Sequence, residues 1–177
     1  DFNCDQKNNV HFFYTLPFTK SRALVETTWF SKFDNESLKD YDTQIDEYIK
    51  ETLGIQKYKI KFKEKGAIPL FYPDSNKKIN KINIGSAGRM TRLSTGYTFL
   101  NIQEHSKYIR ENIDNIVNAK TYNIGKKYEF LDVIFLRVLK EYPERMPDIF
   151  LRMFKSKAST IVKFLSNKSN ILEDLFI

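Results

Sequence analysis

The run Phe12-Phe13-Tyr14-Thr15-Leu16-Pro17-Phe18-Thr19-Lys20-Ser21-Arg22-Ala23-Leu24-Val25-Glu26-Thr27-Thr28-Trp29-Phe30 constrains the fold of this chain more than any other. Aromatic and β-branched residues dominate both arms, and Pro17 with Thr19-Lys20-Ser21 supplies a short polar connection, so the pattern predicts a β-hairpin. One carboxylate interrupts the second arm. Glu26 stands between Val25 and Thr27, and the two-residue side-chain period puts Leu24 and Thr28 on its own face. An apolar surround favours the protonated form of a carboxyl group, which is the form a general acid needs near neutral pH. The competing reading is a glutamate paired with Arg22 or a lysine on a solvated face.

At 177 residues and 41% hydrophobic, the chain has enough material for one domain with a proper core. Phe and Tyr are abundant while Gly and Pro are sparse, so neither disorder nor a fibrous repeat fits the composition. The net charge is +7, yet the lysines are scattered and interleaved with Asp and Glu, so no nucleic-acid footprint is present. A balance of this kind suits an anionic membrane surface, and a coding bias toward Lys, Asn and Ile produces it equally well. Cys4 is the single cysteine, which rules out an internal disulfide and a cysteine metal cluster. His11 and His105 have no metal-ligating partner at helix or strand spacing and read as structural. No stretch of about 18 uncharged apolar residues occurs, so no segment reads as a membrane span. The start at Asp1 and the stop inside the apolar run Ile171–Ile177 read as a piece of a longer protein.

Along the chain, Asp34 to Lys39 reads as a polar loop, and Ile45, Tyr48, Ile49 and Leu53 recur at helical spacing before Gly54. Lys57–Lys63 alternates strictly, predicting a strand with Tyr58, Ile60 and Phe62 on one face and lysines on the other. Gly66–Phe71 reads as a further strand with Pro69 at an edge or bulge. Lys77 to Lys81 reads as a connection into a short strand, Ile82-Asn83-Ile84, that ends on Gly85-Ser86-Ala87-Gly88. A small-residue turn of this type lets backbone N–H groups approach a phosphate or the edge of a flavin, although ligand-free tight turns share its composition. Ser94-Thr95-Gly96 is predicted to open a helix buried through Phe99, Ile102, Ile109, Ile113 and Ile116. After a loop at Asn123 and Gly125, Leu131, Ile134, Phe135, Val138 and Leu139 form a helical stripe that Pro143 ends. Shorter helices follow around Ile149, Met153 and Phe154 and around Ile161, Val162 and Leu165, and the three methionines suit core packing. The fold class is α+β, with a sheet region with one helix over 1–84 and a turn and helical region over 85–177.

Three segments in order, Leu16-Pro17-Phe18-Thr19-Lys20-Ser21-Arg22-Ala23-Leu24-Val25-Glu26-Thr27-Thr28, Gly66-Ala67-Ile68-Pro69-Leu70 and Ile84-Gly85-Ser86-Ala87-Gly88-Arg89-Met90-Thr91-Arg92-Leu93-Ser94-Thr95-Gly96-Tyr97, together resemble the FAD-dependent lycopene cyclases of carotenoid biosynthesis. The likeness runs from Asp1 through the helix after Tyr97 and more loosely over the helical tail. It implies an antiparallel substrate-domain sheet, a second flavin-contacting turn and C-terminal helices, all part of a two-domain flavoprotein. The dinucleotide-binding unit would then lie upstream, and the fragment alone would be inactive. The implied activity is an isomerase of the intramolecular lyase class, a lycopene β-cyclase: acid-catalysed, redox-neutral closure of the linear ends of lycopene to β-ionone rings with reduced FAD, NADPH being the reductant. A related FAD-dependent oxidoreductase, of the prenyl reductase or aromatic hydroxylase type, is the alternative.

By the same resemblance Glu26 is the proton donor; Trp29, Phe13 and Tyr14, the aromatics nearest to it in sequence, are candidates to offer their faces to substrate and cation, with plain core packing as the alternative. Many family members carry a second acid directly after the first; Thr27 stands there in this chain. Gly85, Ser86, Ala87 and Gly88 correspond to the second flavin turn, with Thr95 and Gly96 at the following helix start, and Ser86 replaces the Asp common in the wider superfamily. Arg22 and Arg89 are candidates for holding phosphate or orienting Glu26, with a plain surface role as the alternative. No metal is implied. The carotenoid substrate implies peripheral contact with the inner face of a membrane, from the cytoplasm.

Overall fold

Residues Val10–Thr19 (β1) and Arg22–Phe30 (β2) pair antiparallel, with His11 opposite Trp29, Tyr14 opposite Glu26 and Leu16 opposite Leu24. The register slips between Pro17 and Thr19, where proline has no N–H to give the ladder. This hairpin is the sheet of the described structure, and helices follow it, so the chain is α+β. The computed structural model describes residues 1–32, 40–72, 81–118, 120, 122–175 and 177. The loop expected at Asp34–Lys39 and most of the connection at Lys77–Lys81 lie outside them. Two units are formed, Asp1–Ala67 with Tyr142–Pro147, and Ile68–Glu141 with Asp148–Ile177.

In the first unit the hairpin packs on helix α1, Tyr41–Glu47, which continues through a π-helical turn at Tyr48–Thr52. The Leu53 N–H donates to the Tyr48 carbonyl at 3.0 Å, and Gly54 ends the helix at φ +69°. Tyr48 and Ile49 are buried as their spacing predicts. The Tyr48 ring stacks parallel on Phe13 at 4.1 Å, a contact of about 0.5–1.5 kcal/mol beyond its area. His11 stacks on Trp29 at 3.7 Å, and Gln44 Oε1 accepts from Trp29 Nε1 at 2.9 Å and Thr27 Oγ1 at 3.0 Å. Burial pushes the His11 imidazole below its ordinary value.

Three expected strands are absent. Lys57–Lys63, Gly66–Phe71 and Ile82–Ile84 take no regular secondary structure. The alternating segment is strapped along α1 by side chains: Tyr58 donates to Asp46 Oδ1 at 2.6 Å, Lys63 pairs with Asp42, and the Lys65 ammonium sits 4.7 Å from the Tyr41 ring centre. Alternation sets which side chains share a face, but a strand also needs a neighbour to close its backbone bonds.

The second unit contains α2 (Phe99–Glu111), α3 (Lys126–Glu141), most of α4 (Met146–Lys155), α5 (Ala158–Leu165) and the single turn α6 (Ile171–Asp174). The buried side of α2 is Asn101 and His105, whereas Phe99 and Ile113 are exposed, against expectation. Hydrogen bonds explain the exchange. Asn101 Nδ2 donates to the Met90 carbonyl at 2.6 Å, and its Oδ1 accepts from Tyr122 at 2.8 Å and from Asn167 Nδ2 at 3.0 Å. At the centre of the unit Arg92 and Asp132 are fully buried, joined by Arg92 Nε at 3.0 Å to both carboxylate oxygens and Nη2 at 2.7 Å to Oδ1. The Leu93 N–H and Ser94 hydroxyl complete the Asp132 carboxylate at 3.0 and 2.6 Å. Met90, Met146 and Met153 are all buried, as expected.

Candidate active site

The two faces of the hairpin differ in kind. On one, His11, Phe13, Thr27 and Trp29 turn to α1 and are consumed by packing. On the other, cross-strand pairing sets Tyr14 against Glu26, with Phe12–Thr28 and Leu16–Leu24 as flanking pairs and Val10–Phe30 beyond. Phe12 lies 5.8 Å from Tyr14, 5.9 Å from Phe30 and 5.3 Å from Phe2, ring centre to ring centre. Glu26 is half-buried, Tyr14 is 37% exposed and Leu16 is 48% exposed, so this aromatic face remains open to an apolar ligand.

Electrostatics tie the central pair together. Burial first, then hydrogen bonding to Glu26 and its charge, push the Tyr14 phenol up to about 12, with Glu64 adding to the shift. Tyr14 therefore stays protonated and able to donate to the carboxylate across the ladder.

Of the residues the sequence singles out for this site, Glu26 and Tyr14 come together. Phe13 and Trp29 do not join them: both sit on the opposite face, because odd and even positions of a strand point apart. Phe12 and Phe30 take their place, and the two-residue period already contained that signal. Thr27, at the position of the family's second acid, points to the α1 side, where its hydroxyl lies 2.7 Å from His11 Nε2. Arg22 is exposed at the hairpin turn.

The small-residue turn Gly85–Gly88 is a 3₁₀ turn after extended Ile84, with Gly85 at φ +60° and Arg89 left-handed at φ +61°. Space around Gly85 is open, and Ser86 and Ala87 are exposed. A Cβ on Gly88 would lie 2.5 Å from the Asn83 carbonyl oxygen, so that glycine serves the chain's own close approach. Ser86 Oγ is 2.9 Å from Thr91 Oγ1, which also accepts from Thr98 at 3.0 Å. Arg89 lies 4.2 Å from the Tyr72 ring centre and 3.9 Å from Glu129. Thr95 and Gly96 form a tight turn, Gly96 at φ +69° against Ile68, and α2 begins only at Phe99. The stretch Gly85-Ser86-Ala87 faces open space and could hold the edge of a flat ligand, while Gly88, Thr95 and Gly96 shape the turn.

Among the described residues there is no cluster of metal-ligating side chains. His11 and His105 are both buried. Arg92 and Asp132 pair across 40 positions, which leaves no periodic trace in the sequence.

Neither the curated proteins nor the solved structures hold a match to the chain. The family model described as lycopene cyclase protein matches residues 1–177. An acid on the open aromatic side of a hairpin and a small-residue turn before a helical region thus lie within one continuous match, and the chain belongs to the lycopene cyclase family.

Proposed function

We propose that this chain is the substrate-facing and second flavin-contacting part of a lycopene β-cyclase, with Glu26 as the proton donor. The observation that carries the reading is the position of Glu26, half-buried on the open aromatic face and directly across from Tyr14. An alkene is a very weak base, so the acid that protonates it has to be dry and held in place. A polyene end laid against Phe12, Phe30 and Leu16 displaces water from that face. The Glu26 O–H proton passes to the terminal carbon–carbon double bond, leaving a tertiary cation on the chain end. The neighbouring double bond gives its electron pair to that cation and closes the six-membered ring. A proton leaves the carbon next to the new cationic centre, forming the ring alkene, and the Glu26 carboxylate takes it back. Atoms and electrons balance, and no net redox change occurs.

Tyr14 donates to the carboxylate oxygen while Glu26 is ionised, and the rings of Phe12 and Tyr14 offer their electron-rich faces to the cation. Gly85, Ser86 and Ala87 would hold FAD, which, reduced by NADPH, would supply the negative charge that stabilises a carbocation. Peripheral contact with the inner face of a membrane, from the cytoplasm, follows from the insolubility of the substrate in water.

The test is Glu26→Gln in the full-length enzyme, assayed with lycopene and reduced FAD. Loss of a positioned general acid costs about 10²–10⁴ in rate, so cyclisation falls by at least that much. Native-rate cyclisation by the variant defeats the proton-donor assignment and favours a flavin oxidoreductase, for which Glu26 is dispensable.

A further inference from the structure

The second unit carries a surface that gives the peripheral membrane contact of the proposed cyclase a place on the chain, and the inference rests on that reading. Helix α4 is anchored inward by Phe150 and Met153, both buried, with Phe150 edge-on to Phe135 of α3 at 5.7 Å between ring centres. Its outward side is not the polar face expected of a water-facing helix. Leu151 is 54% and Phe154 60% exposed, and Arg152 and Lys155 are exposed beside them. Leu151, Phe154 and Lys155 are spaced by three and four, so they share one stripe.

Charge separates this patch from an ordinary apolar surface. From Ile149 to Leu172 the sequence has Arg152, Lys155, Lys157, Lys163 and Lys168 and no Asp or Glu. Lys163 is paired with Glu173 at 2.5 Å and Lys168 with Glu104 at 3.6 Å. Arg152, Lys155 and Lys157 have no ion pair among the described residues.

We propose that the outer face of α4, through Leu151, Arg152, Phe154, Lys155 and the adjoining Lys157, docks on an anionic lipid surface. A helix with large apolar side chains and unpaired cations on its free side suits the boundary between acyl chains and headgroups: Leu151 and Phe154 enter the acyl edge while the cations meet the phosphates. An uncharged protein partner would leave three cations without counter-charges. Lysine and arginine stems reach sideways from the helix, so both groups are satisfied at once. Among the described residues no helix is long and apolar enough to cross a membrane.

The experiment is partition of the full chain onto vesicles of phosphatidylcholine alone and of phosphatidylcholine with phosphatidylglycerol, read by co-sedimentation. The expected result is binding to the anionic vesicles only, weakening as salt rises. Each cation contributes about 1 kcal/mol at such a surface, so Arg152→Gln with Lys155→Gln and Lys157→Gln lowers the partition coefficient roughly 100-fold. Leu151→Ser with Phe154→Ser abolishes partition, and should that pair disturb folding, the cation variant decides alone. A probe placed by Phe154→Trp shifts its emission to the blue on anionic vesicles.

Equal binding by the cation variant, or no binding of the parent chain, overturns the proposal. So does a fall in sedimentation mass of the serine variant with vesicle binding unchanged, which would assign the face to a second copy. Failure here leaves the Glu26 test intact, because cyclisation is assayed with detergent-dispersed lycopene.

Discussion

Glu26 and Asp132 are both carboxylates withdrawn from full exposure, and their surroundings have opposite consequences. Asp132 is wholly buried and accepts from Arg92, the Leu93 amide and the Ser94 hydroxyl, so every direction of approach is occupied by its own chain. Glu26 is half-buried on a face that stays open, and among the described residues it shares a hydrogen bond with the Tyr14 phenol. A saturated carboxylate holds a structure together; an unsaturated one on an apolar face has bonding capacity left for chemistry. The conspicuous acid in the second unit is therefore architectural, and the less buried one in the hairpin is the candidate for catalysis.

The largest effect expected is at the saturated pair. Asp132→Ala leaves the Arg92 guanidinium buried without its counter-charge, and breaking a buried pair from one side costs about 3–5 kcal/mol. Urea melts of the variant should show the second unit losing its transition or shifting it to far lower denaturant, whereas Glu26→Gln should move the midpoint little. If Glu26→Gln destabilises as much as Asp132→Ala, the two carboxylates do the same job and the contrast is void.

Gly88→Ala follows in size. The added methyl meets the Asn83 carbonyl oxygen at 2.5 Å, and overpacking of this kind costs about 1–3 kcal/mol. Thermal melts should show the loss, while Ala at open Gly85 is penalised only for its left-handed backbone.

The smallest effect is the most diagnostic of the pair. Tyr14 ionises at about 12 in the fold against 10 ordinarily, so the folded phenol holds its proton after an unfolded one has lost it. Its contribution to stability is complete below pH 10 and is lost as pH rises toward 12. Glu26→Gln removes the hydrogen bond to the carboxylate and its charge but leaves the burial. Tyrosinate absorbance, with Tyr14→Phe as the blank, should then show Tyr14 ionising earlier, yet still above 10. An unchanged titration would mean that burial alone sets the phenol and that the cross-strand coupling is absent.

The hairpin, its acid and the buried Tyr48 and Ile49 after α1 are legible because period two and period 3.6 are local properties. Phe13 and Trp29 show the hazard of reading neighbours in sequence as neighbours in space: the period that places Glu26 sends both of them to the other side. Lys57–Lys63 has the alternation of a strand without a paired backbone, and its side chains tie it to α1 instead. Asn101 and His105 were unreadable as core, since apolar stripes report burial only where burial is apolar. Arg92 and Asp132 were unreadable as a pair, because nothing local in α3 signals an arginine 40 positions upstream.

The π-helical turn at Tyr48–Thr52 has a consequence for how this family can vary in length. Its wider hydrogen-bond ring accommodates one residue more than an ordinary turn, and each residue of an α-helix turns the chain by about 100°. Deleting one residue there would restore ordinary winding and swing Gly54 and the outgoing chain a quarter-turn or more around the axis, carrying Tyr58 away from Asp46 while Phe13 kept its stacked ring. The turn thus works as a vernier, aiming the exit of the helix independently of the side that grips the sheet.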